Sequence, residues 1–356
     1  MSRARIALVF GGRSPEHEVS LDSARAIAAN VDGSRFDLAF VGTARDGTLR
    51  LGDVSLLDGG LEKGEGTPVL WPARHGARRL VSRRNGGETG EPIDAVFPIV
   101  HGWGGEDGSL QGVLELAGIP YVGSGVLGSS LAMDKDRARR ILAERGIPVV
   151  TDVVLTHEET RDASLARRAL ERLGLPLFVK PARAGSSVGI TKLKDFAELG
   201  DAIRAALEHD TKVLVERAVP DARELEVAIL GNAPHAETSV VGEVVPDREF
   251  YDYGAKYDDS DSRLDIPAPI PGETAEAIRR HALDAFAALD LAGLARVDFL
   301  LGSDGKLVLS EANTLPGFTS ISMYPRLWEA SGVLFGELID RLIRHALARH
   351  EASGSR

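Results

Sequence analysis

The chain has 356 residues, 43% of them hydrophobic and 27% charged, with a formal net charge of −11 and no cysteine. That length implies two or three α/β units rather than one small domain. The negative charge excludes a general nucleic-acid binder, and the missing cysteines exclude disulfides, thiolate nucleophiles and cysteine-based zinc sites.

No apolar run approaches the roughly 20 residues of a membrane span. The N-terminus leads directly into a strand-like Ile6–Phe10 rather than a signal-peptide core, so a soluble cytoplasmic protein without a membrane or nucleic-acid partner is expected. In chain order, Gly11-Gly12 follows that strand, then a helical Ser20–Asn30, a strand at Phe36–Val41, another at Ala95–Val100 and a helix at Gly108–Ala117. The alternation predicts a parallel sheet with helices on its faces. Residues 44–92, rich in Gly, Arg and Glu, read as a surface flap with short strands. A second unit opens near Gly125, with an amphipathic helix at Lys135–Arg145 that stops at Gly146 before Pro148. Strands are expected at Leu177–Lys180 and Val213–Glu216, around a Gly/Ser loop at Ala182–Gly189. A third unit, from Arg217, holds a strand at Leu225–Leu230, a long loop at 246–266, a helix at Glu273–Leu289 and a closing helix at 333–350. The expected divisions are therefore 1–124, 125–216 and 217–356.

The most informative segment runs from Arg296-Val-Asp-Phe-Leu-Leu through Asp304-Gly305 to Leu-Ser-Glu-Ala-Asn313. Two apolar runs around Asp-Gly read as a β-hairpin. A turn centred on that pair sets Asp298 opposite Glu311 and Arg296 opposite Asn313, all on one side of the pair. Carboxylates directly opposite one another repel, and a hard cation reverses the sign, because Asp, Glu and Asn oxygens are the donors Mg²⁺ prefers. A solvated polar face is the plainer alternative, but it leaves the apolar character of both strands unexplained.

Other segments carry polar groups at strand ends. In Gly11-Gly-Arg-Ser-Pro-Glu16-His-Glu-Val-Ser20 a carboxylate suited to a substrate ammonium group follows a strand, although helix capping would also use it. His101-Gly-Trp-Gly-Gly-Glu106-Asp-Gly packs glycines around His101, which reads as an ordinary satisfied histidine or as a group that steadies Glu106 or a substrate. Lys180-Pro-Ala-Arg-Ala-Gly-Ser186-Ser-Val-Gly189 sets an ammonium group beside a loop whose N–H groups can close over phosphates, without the order of a P-loop. Lys135, in Met-Asp-Lys, is a second such cation. Glu216 and Glu224 are ambiguous between surface charge and contact with a ribose or amino group. Tyr257 and Lys256 sit in Phe250-Tyr-Asp-Tyr-Gly-Ala-Lys-Tyr, an aromatic-dense stretch of the long loop, where lids are common. After the hairpin, Gly317 offers a backbone N–H and Ser322 a hydroxyl.

Taken together, GGRSPEHEVS, HGWGGEDGSLQG, YVGSGVLGSSLAMDK, VKPARAGSSVG, VLVER, FYDYGAKY, ARVDFLL and EANTLPGFTS closely resemble the D-alanine–D-alanine ligase family of the ATP-grasp superfamily. The metal motif identifies only the superfamily; the EHEVS, GGEDG and YDY-x-AKY segments are specific to the family. The resemblance implies an α/β ATP-grasp fold of three domains, the N-terminal one Rossmann-like, with ATP between the other two. It implies ATP-driven joining of two D-alanine molecules through an acyl phosphate, for peptidoglycan synthesis, by a homodimer. Carried over, Glu16 holds the first ammonium group with Ser186 and Tyr257 around it, and His101 lies beside the substrate. Lys135 and Lys180 meet ATP phosphates, and Glu216 and Glu224 meet its adenine-ribose end. Lys256 and Ser322 meet the second carboxylate or the transferred phosphate, and Arg296 and the Gly317 N–H face the oxyanion. Asp298, Glu311 and Asn313 hold two Mg²⁺ ions, with Mn²⁺ able to replace them. Two departures stand out: Ala184 where many relatives carry Glu, and Arg217 where Lys is common.

Overall fold

The computed structural model describes residues 3–354 except 85, 162–169, 172, 186–188 and 247–261. Its first sheet grows from β1 (Ala4–Gly11), a buried apolar strand followed by helix α1 (His17–Asn30). Strand β2 (Phe36–Thr43) lies parallel to β1 on one side, and β7 (Ala95–Pro98) lies parallel to it on the other. Between them in sequence come β3 (Leu49–Gly52), β4 (Thr67–Leu70), β5 (Leu80–Ser82) and β6 (Glu88–Thr89). They continue the sheet antiparallel, in the order β6-β5-β4-β3-β2-β1-β7. The sheet is therefore mixed where a parallel one is expected, and residues 44–92 are part of it rather than a surface flap. The physical reason is burial. Leu56, Leu57 and Leu61 pack with Phe10, while Val69 and Leu80 pack with Val9 and Val41.

Helices α2 (Ser109–Ala117), α3 (Val126–Met133) and α4 (Lys135–Glu144) follow. Asp134 accepts the Arg137 N–H as the N-cap of α4, and Gly146 at φ 75 ends the run as expected. A second, antiparallel sheet combines β8 (Asp152–Thr156), β9 (Leu177–Pro181), β10 (Thr191–Leu193) and β11 (Lys212–Arg217), in the order β10-β9-β11-β8. Helix α5 (Leu199–Leu207) covers one face. The third sheet comprises β12 (Arg223–Asn232), β13 (Glu237–Pro246), β14 (Ser262–Asp265), β15 (Ala292–Leu301) and β16 (Leu307–Asn313), ordered β14-β13-β12-β15-β16. Helix α6 (Gly272–Ala288) lies between β14 and β15 in the chain, and α7 (Met323–Ala330) and α8 (Phe335–Ala352) close it. No described helix is long and apolar enough to cross a membrane.

The cores do not follow the sheets one to one. Ile6, Leu8 and Phe10 of β1 share a core with Tyr324, Leu338 and Leu342 of α7 and α8. Ala132, Ala138 and Leu142 of α3 and α4 pack with Phe286 of α6 and Phe299 of β15. The second sheet keeps its own core around Leu177, Val179 and Val215. Ion pairs such as Lys212 with Asp134 and Asp136 link it to α4, and the charged groups described next lie along that seam.

Gly11 shows how tightly the first loop is set. Its φ is +84°, and a Cβ there would lie 2.3 Å from the Thr43 carbonyl oxygen. Gly11→Ala should lower stability by about 1–3 kcal/mol, read from the urea midpoint; an unchanged midpoint contradicts this packing.

Candidate active site

The β15–β16 hairpin places its polar residues as the sequence predicts, by a different route. Asp298 pairs with Glu311 and Arg296 with Asn313, but Phe299 pairs with Leu309, so Ser310 is an extra residue on β16. The link spans residues 302–306 rather than turning on Asp304-Gly305 alone, and the bulge at Ser310 restores the register. The Ser310 carbonyl accepts from Arg139 Nη2 at 2.9 Å and Nε at 3.3 Å.

On the other side of β15, Glu226 pairs with Asp298. Three carboxylates, Glu226, Asp298 and Glu311, therefore run side by side across β12, β15 and β16. Cations hold them together. Arg296 donates to Asp298 through Nε at 2.8 Å and Nη2 at 2.6 Å, and its Nε lies 3.0 Å from Glu226. Burial opposes the Arg296 charge, but Asp298 and Glu226 outweigh it and hold its pKa well above the ordinary value. Lys135 Nζ, at the start of α4, lies 3.0 Å from Glu311 and donates to the Ala184 carbonyl at 3.0 Å. The contact at Ala184 is through its backbone, so this tether does not depend on the missing Glu.

Lys180 and Glu216, on adjacent strands β9 and β11, form a second cluster, 2.5 Å apart. Arg139 joins it, 2.8 Å from Glu216 and 2.9 Å from Asp152. Burial raises the Glu216 carboxyl, yet Lys180 and Arg139 overcome it and hold the pKa below the ordinary range. Burial, with Arg139 and Lys135 close by, pushes the Lys180 pKa down. Glu216 is thus turned to two cations, Lys180 and Arg139. Glu224 lies between Leu300 and Val244, two residues from Glu226 on the same face.

The loop after β1 supplies Glu16, which is buried. His17 steadies that loop, with Nδ1 2.7 Å from the Gly12 carbonyl and Nε2 2.9 Å from Glu62. A Cβ at Gly185 of the glycine loop would lie 3.4 Å from Glu16 Oε2, and Trp103 Nε1 donates to the Arg183 carbonyl at 3.0 Å. His101 is buried, and its nitrogens face the Leu315 carbonyl at 2.9 Å and Ser23 Oγ at 3.5 Å. A Cβ at Gly317 would lie 2.9 Å from Ser322 Oγ, so the glycine is what lets that hydroxyl approach. Ser186, Lys256 and Tyr257 lie outside the described residues.

Arg139 and Glu226 are functional candidates that the sequence reading missed. Each had a signal: Arg139 follows Lys135 by one helical turn, and Glu226 follows Glu224 by one strand period. The oxygen donors Asp298, Glu311 and Asn313 fit a hard divalent cation. The fit rests on juxtaposed carboxylates that otherwise require Arg296 and Lys135 for neutrality.

Two family models match the chain: "D-ala D-ala ligase N-terminus" over residues 5–124 and "D-ala D-ala ligase C-terminus" over residues 141–344. A D-alanine–D-alanine ligase of Thermoanaerobacter sp. (strain X514) is 47% identical over 354 residues, covering 98% of both chains. D-alanine–D-alanine ligase A of Salmonella typhimurium is 43% identical, covering 100% of this chain and 99% of its own. Among solved structures, the VanG D-Ala:D-Ser ligase of Enterococcus faecalis matches with a TM-score of 0.87 and 36% identity, over 97% of this chain and 100% of that one. The D-alanine-D-alanine ligase of Coxiella burnetii also gives 0.87, at 33% identity, over 99% and 96%.

The Glu106 oxygens accept from Gly102 N at 2.6 Å and Leu315 N at 3.2 Å. Burial, then the Glu16 carboxylate, pushes its pKa up to about 8, against those amides. The folded chain therefore keeps a proton that the unfolded chain releases in the ordinary carboxylate range, and stability from this group is lost as pH rises toward about 8. Glu106→Gln cannot titrate, so its melting temperature relative to wild type should climb from about pH 5 to about pH 8. Parallel melting curves across that range contradict the shift.

Proposed function

The chain belongs to the D-alanine–D-alanine ligase family, and we propose that it joins two D-alanine molecules at the expense of ATP. Its fold is the ATP-grasp fold of that family. The observation that carries the reading is the row Glu226-Asp298-Glu311 beside Arg296, Lys135 and Lys180, a concentration of charge suited to phosphoryl transfer.

A carboxylate is a poor acyl donor. Transfer of the ATP γ-phosphoryl group to the carboxylate oxygen of the first D-alanine releases ADP and converts that oxygen into a leaving group. The amine nitrogen of the second D-alanine then attacks the acyl carbon. The C–O bond to phosphate breaks, the nitrogen gives up its proton, and D-alanyl-D-alanine and phosphate leave. Both steps concentrate negative charge, so fixed cations and N–H donors lower both barriers.

The residues take their roles from that need. Glu16 binds the first ammonium group, with Ser186 and Tyr257 beside it. Lys135 and Lys180 meet the ATP phosphates, with Glu216 and Arg139 holding Lys180 in place. Glu216 and Glu224 serve the adenine-ribose end. Arg296 and the Gly317 N–H face the oxyanion, and Lys256 and Ser322 receive the second carboxylate or the phosphate. Asp298, Glu311 and Asn313 would hold two divalent ions, Mg²⁺ or Mn²⁺, which neutralise and orient phosphate oxygens. We assign the protein to the cytoplasm and to a homodimer on the family resemblance. The domain divisions 1–124, 125–216 and 217–356 belong to the same reading.

The resemblance to VanG, a D-Ala:D-Ser ligase, supports a second reading with D-serine as acceptor. The higher identity to ligases named for D-alanine alone favours D-alanine. Phosphate release with mass identification of products, using D-alanine alone and with D-serine or D-lactate, separates the acceptors. D-alanyl-D-alanine from D-alanine alone is expected. Turnover only with a second acid contradicts the choice of acceptor.

Arg296→Ala should lower kcat by about 10²–10³-fold, while equilibrium binding of ATP changes little. Loss of ATP binding in step with kcat contradicts a role at the oxyanion. Glu16→Gln should raise the KM for the first D-alanine far more than the KM for ATP. Unchanged D-alanine affinity removes Glu16 from that role.

A further inference from the structure

A backbone N–H stabilises an oxyanion only if it is held where the charge will form. The segment between Asn313 and α7, which carries Gly317, has no helix or strand to hold it. Its tethers come from the other end of the chain. The Leu315 carbonyl accepts from His101 Nδ1 at 2.9 Å. The Leu315 N–H is shared between Glu106 Oε1 at 3.2 Å and Asn313 Oδ1 at 3.0 Å. Beyond the glycine, the Phe318 N–H donates to Ser23 Oγ on α1 at 3.1 Å, and the buried Phe318 ring packs against Phe97 and Phe335.

These tethers are linked to one another. His101 donates from Nδ1 to a carbonyl, which leaves Nε2 facing the Ser23 hydroxyl at 3.5 Å. Ser14 Oγ donates to the His101 carbonyl at 2.7 Å, and Glu106 Oε2 accepts the Gly102 N–H. Burial lowers the His101 pKa, although Glu16 and the Leu315 carbonyl oppose it. Gly317 is thus bracketed by peptide groups fixed to α1 and to the 101–106 loop.

We propose that Ser23, His101 and Glu106 are positioning residues that aim the Gly317 N–H at the tetrahedral intermediate of the second half-reaction. The proposal rests on the reading of Gly317 as an oxyanion donor. The phosphoryl-transfer step uses Lys135 and Lys180, which these tethers do not hold. Loosening a tether therefore leaves acyl phosphate formation running and slows attack by the amine. The stranded acyl phosphate is then hydrolysed at phosphorus: the P–O bond to the carboxylate oxygen breaks, water's oxygen ends on the released phosphate, and D-alanine is regenerated with both its carboxylate oxygens.

The test is the ratio of phosphate to dipeptide released at saturating ATP and D-alanine, with KM for ATP and the melting temperature measured alongside. The variants are Ser23→Ala, Glu106→Ala and Glu106→Gln. Ser23→Ala and Glu106→Ala should form dipeptide about 10- to 100-fold more slowly, with an unchanged KM for ATP and a ratio above the wild-type value. Glu106→Gln keeps one acceptor oxygen and should fall between. Phosphate and dipeptide declining together, at the wild-type ratio, would overturn the proposal and leave these residues a merely structural part. Wild-type protein that releases phosphate and never forms dipeptide overturns the ligase reading instead, so the two failures are distinguishable.

Discussion

Three carboxylates stand side by side on adjacent strands, Glu226 on β12, Asp298 on β15 and Glu311 on β16. Like charges directly opposite one another destabilise a sheet. The arrangement persists because cations come to it from different elements: Arg296 from within β15, Lys135 from the start of α4. The rest of the site follows from that requirement. Lys135 ties α4 to the glycine loop through Ala184, and Arg139, one turn further along α4, ties the Ser310 bulge to Glu216 and Asp152. Breaking one partner out of such a buried pair typically costs about 3–5 kcal/mol, so each cation is fixed by structure as well as by chemistry.

The distribution of apolar cores explains where this charge can be used. The first and third sheets are joined through the core that β1 shares with α7 and α8. Helices α3 and α4 belong to the core of the third sheet. The second sheet has a core to itself and meets the others across ion pairs such as Lys212 with Asp134 and Asp136. A nucleotide placed along that seam would meet Lys180 from one side and Arg296, Asp298 and Glu311 from the other. The N-terminal unit contributes Glu16 and the tethers on Leu315 and Phe318, which completes a site built from distant parts of the chain.

Much of this was legible in the sequence, because strand pairing with period two is a strong constraint. An Asp-Gly between apolar runs was enough to pair Asp298 with Glu311. The bulge at Ser310 was not legible, since only the pairing of Phe299 with Leu309 reveals it. Residues 44–92 were misread as surface because their strands are short and separated by glycines. Their buried leucines contact residues far away in sequence. Arg139 and Glu226 were missed for a related reason. A charged residue on a helix or strand usually faces solvent, and what buries these two is a charge brought by another element. The glycine-rich loop leaves His101 open between a satisfied histidine and a group that steadies Glu106 or a substrate, and only the fold shows that its nitrogens face the Leu315 carbonyl and Ser23.

The claim that most depends on this geometry is that the opposed carboxylates of the hairpin form a divalent-cation centre for nucleotide. Electron paramagnetic resonance of Mn²⁺, titrated into protein saturated with a non-hydrolysable ATP analogue, counts the bound ions directly. The account predicts two ions for the wild-type chain, and fewer for Asp298→Asn and for Glu311→Gln. An ion count that stays the same when either carboxylate is neutralised would contradict it, and would return the hairpin to a polar face held together by Arg296 and Lys135 alone.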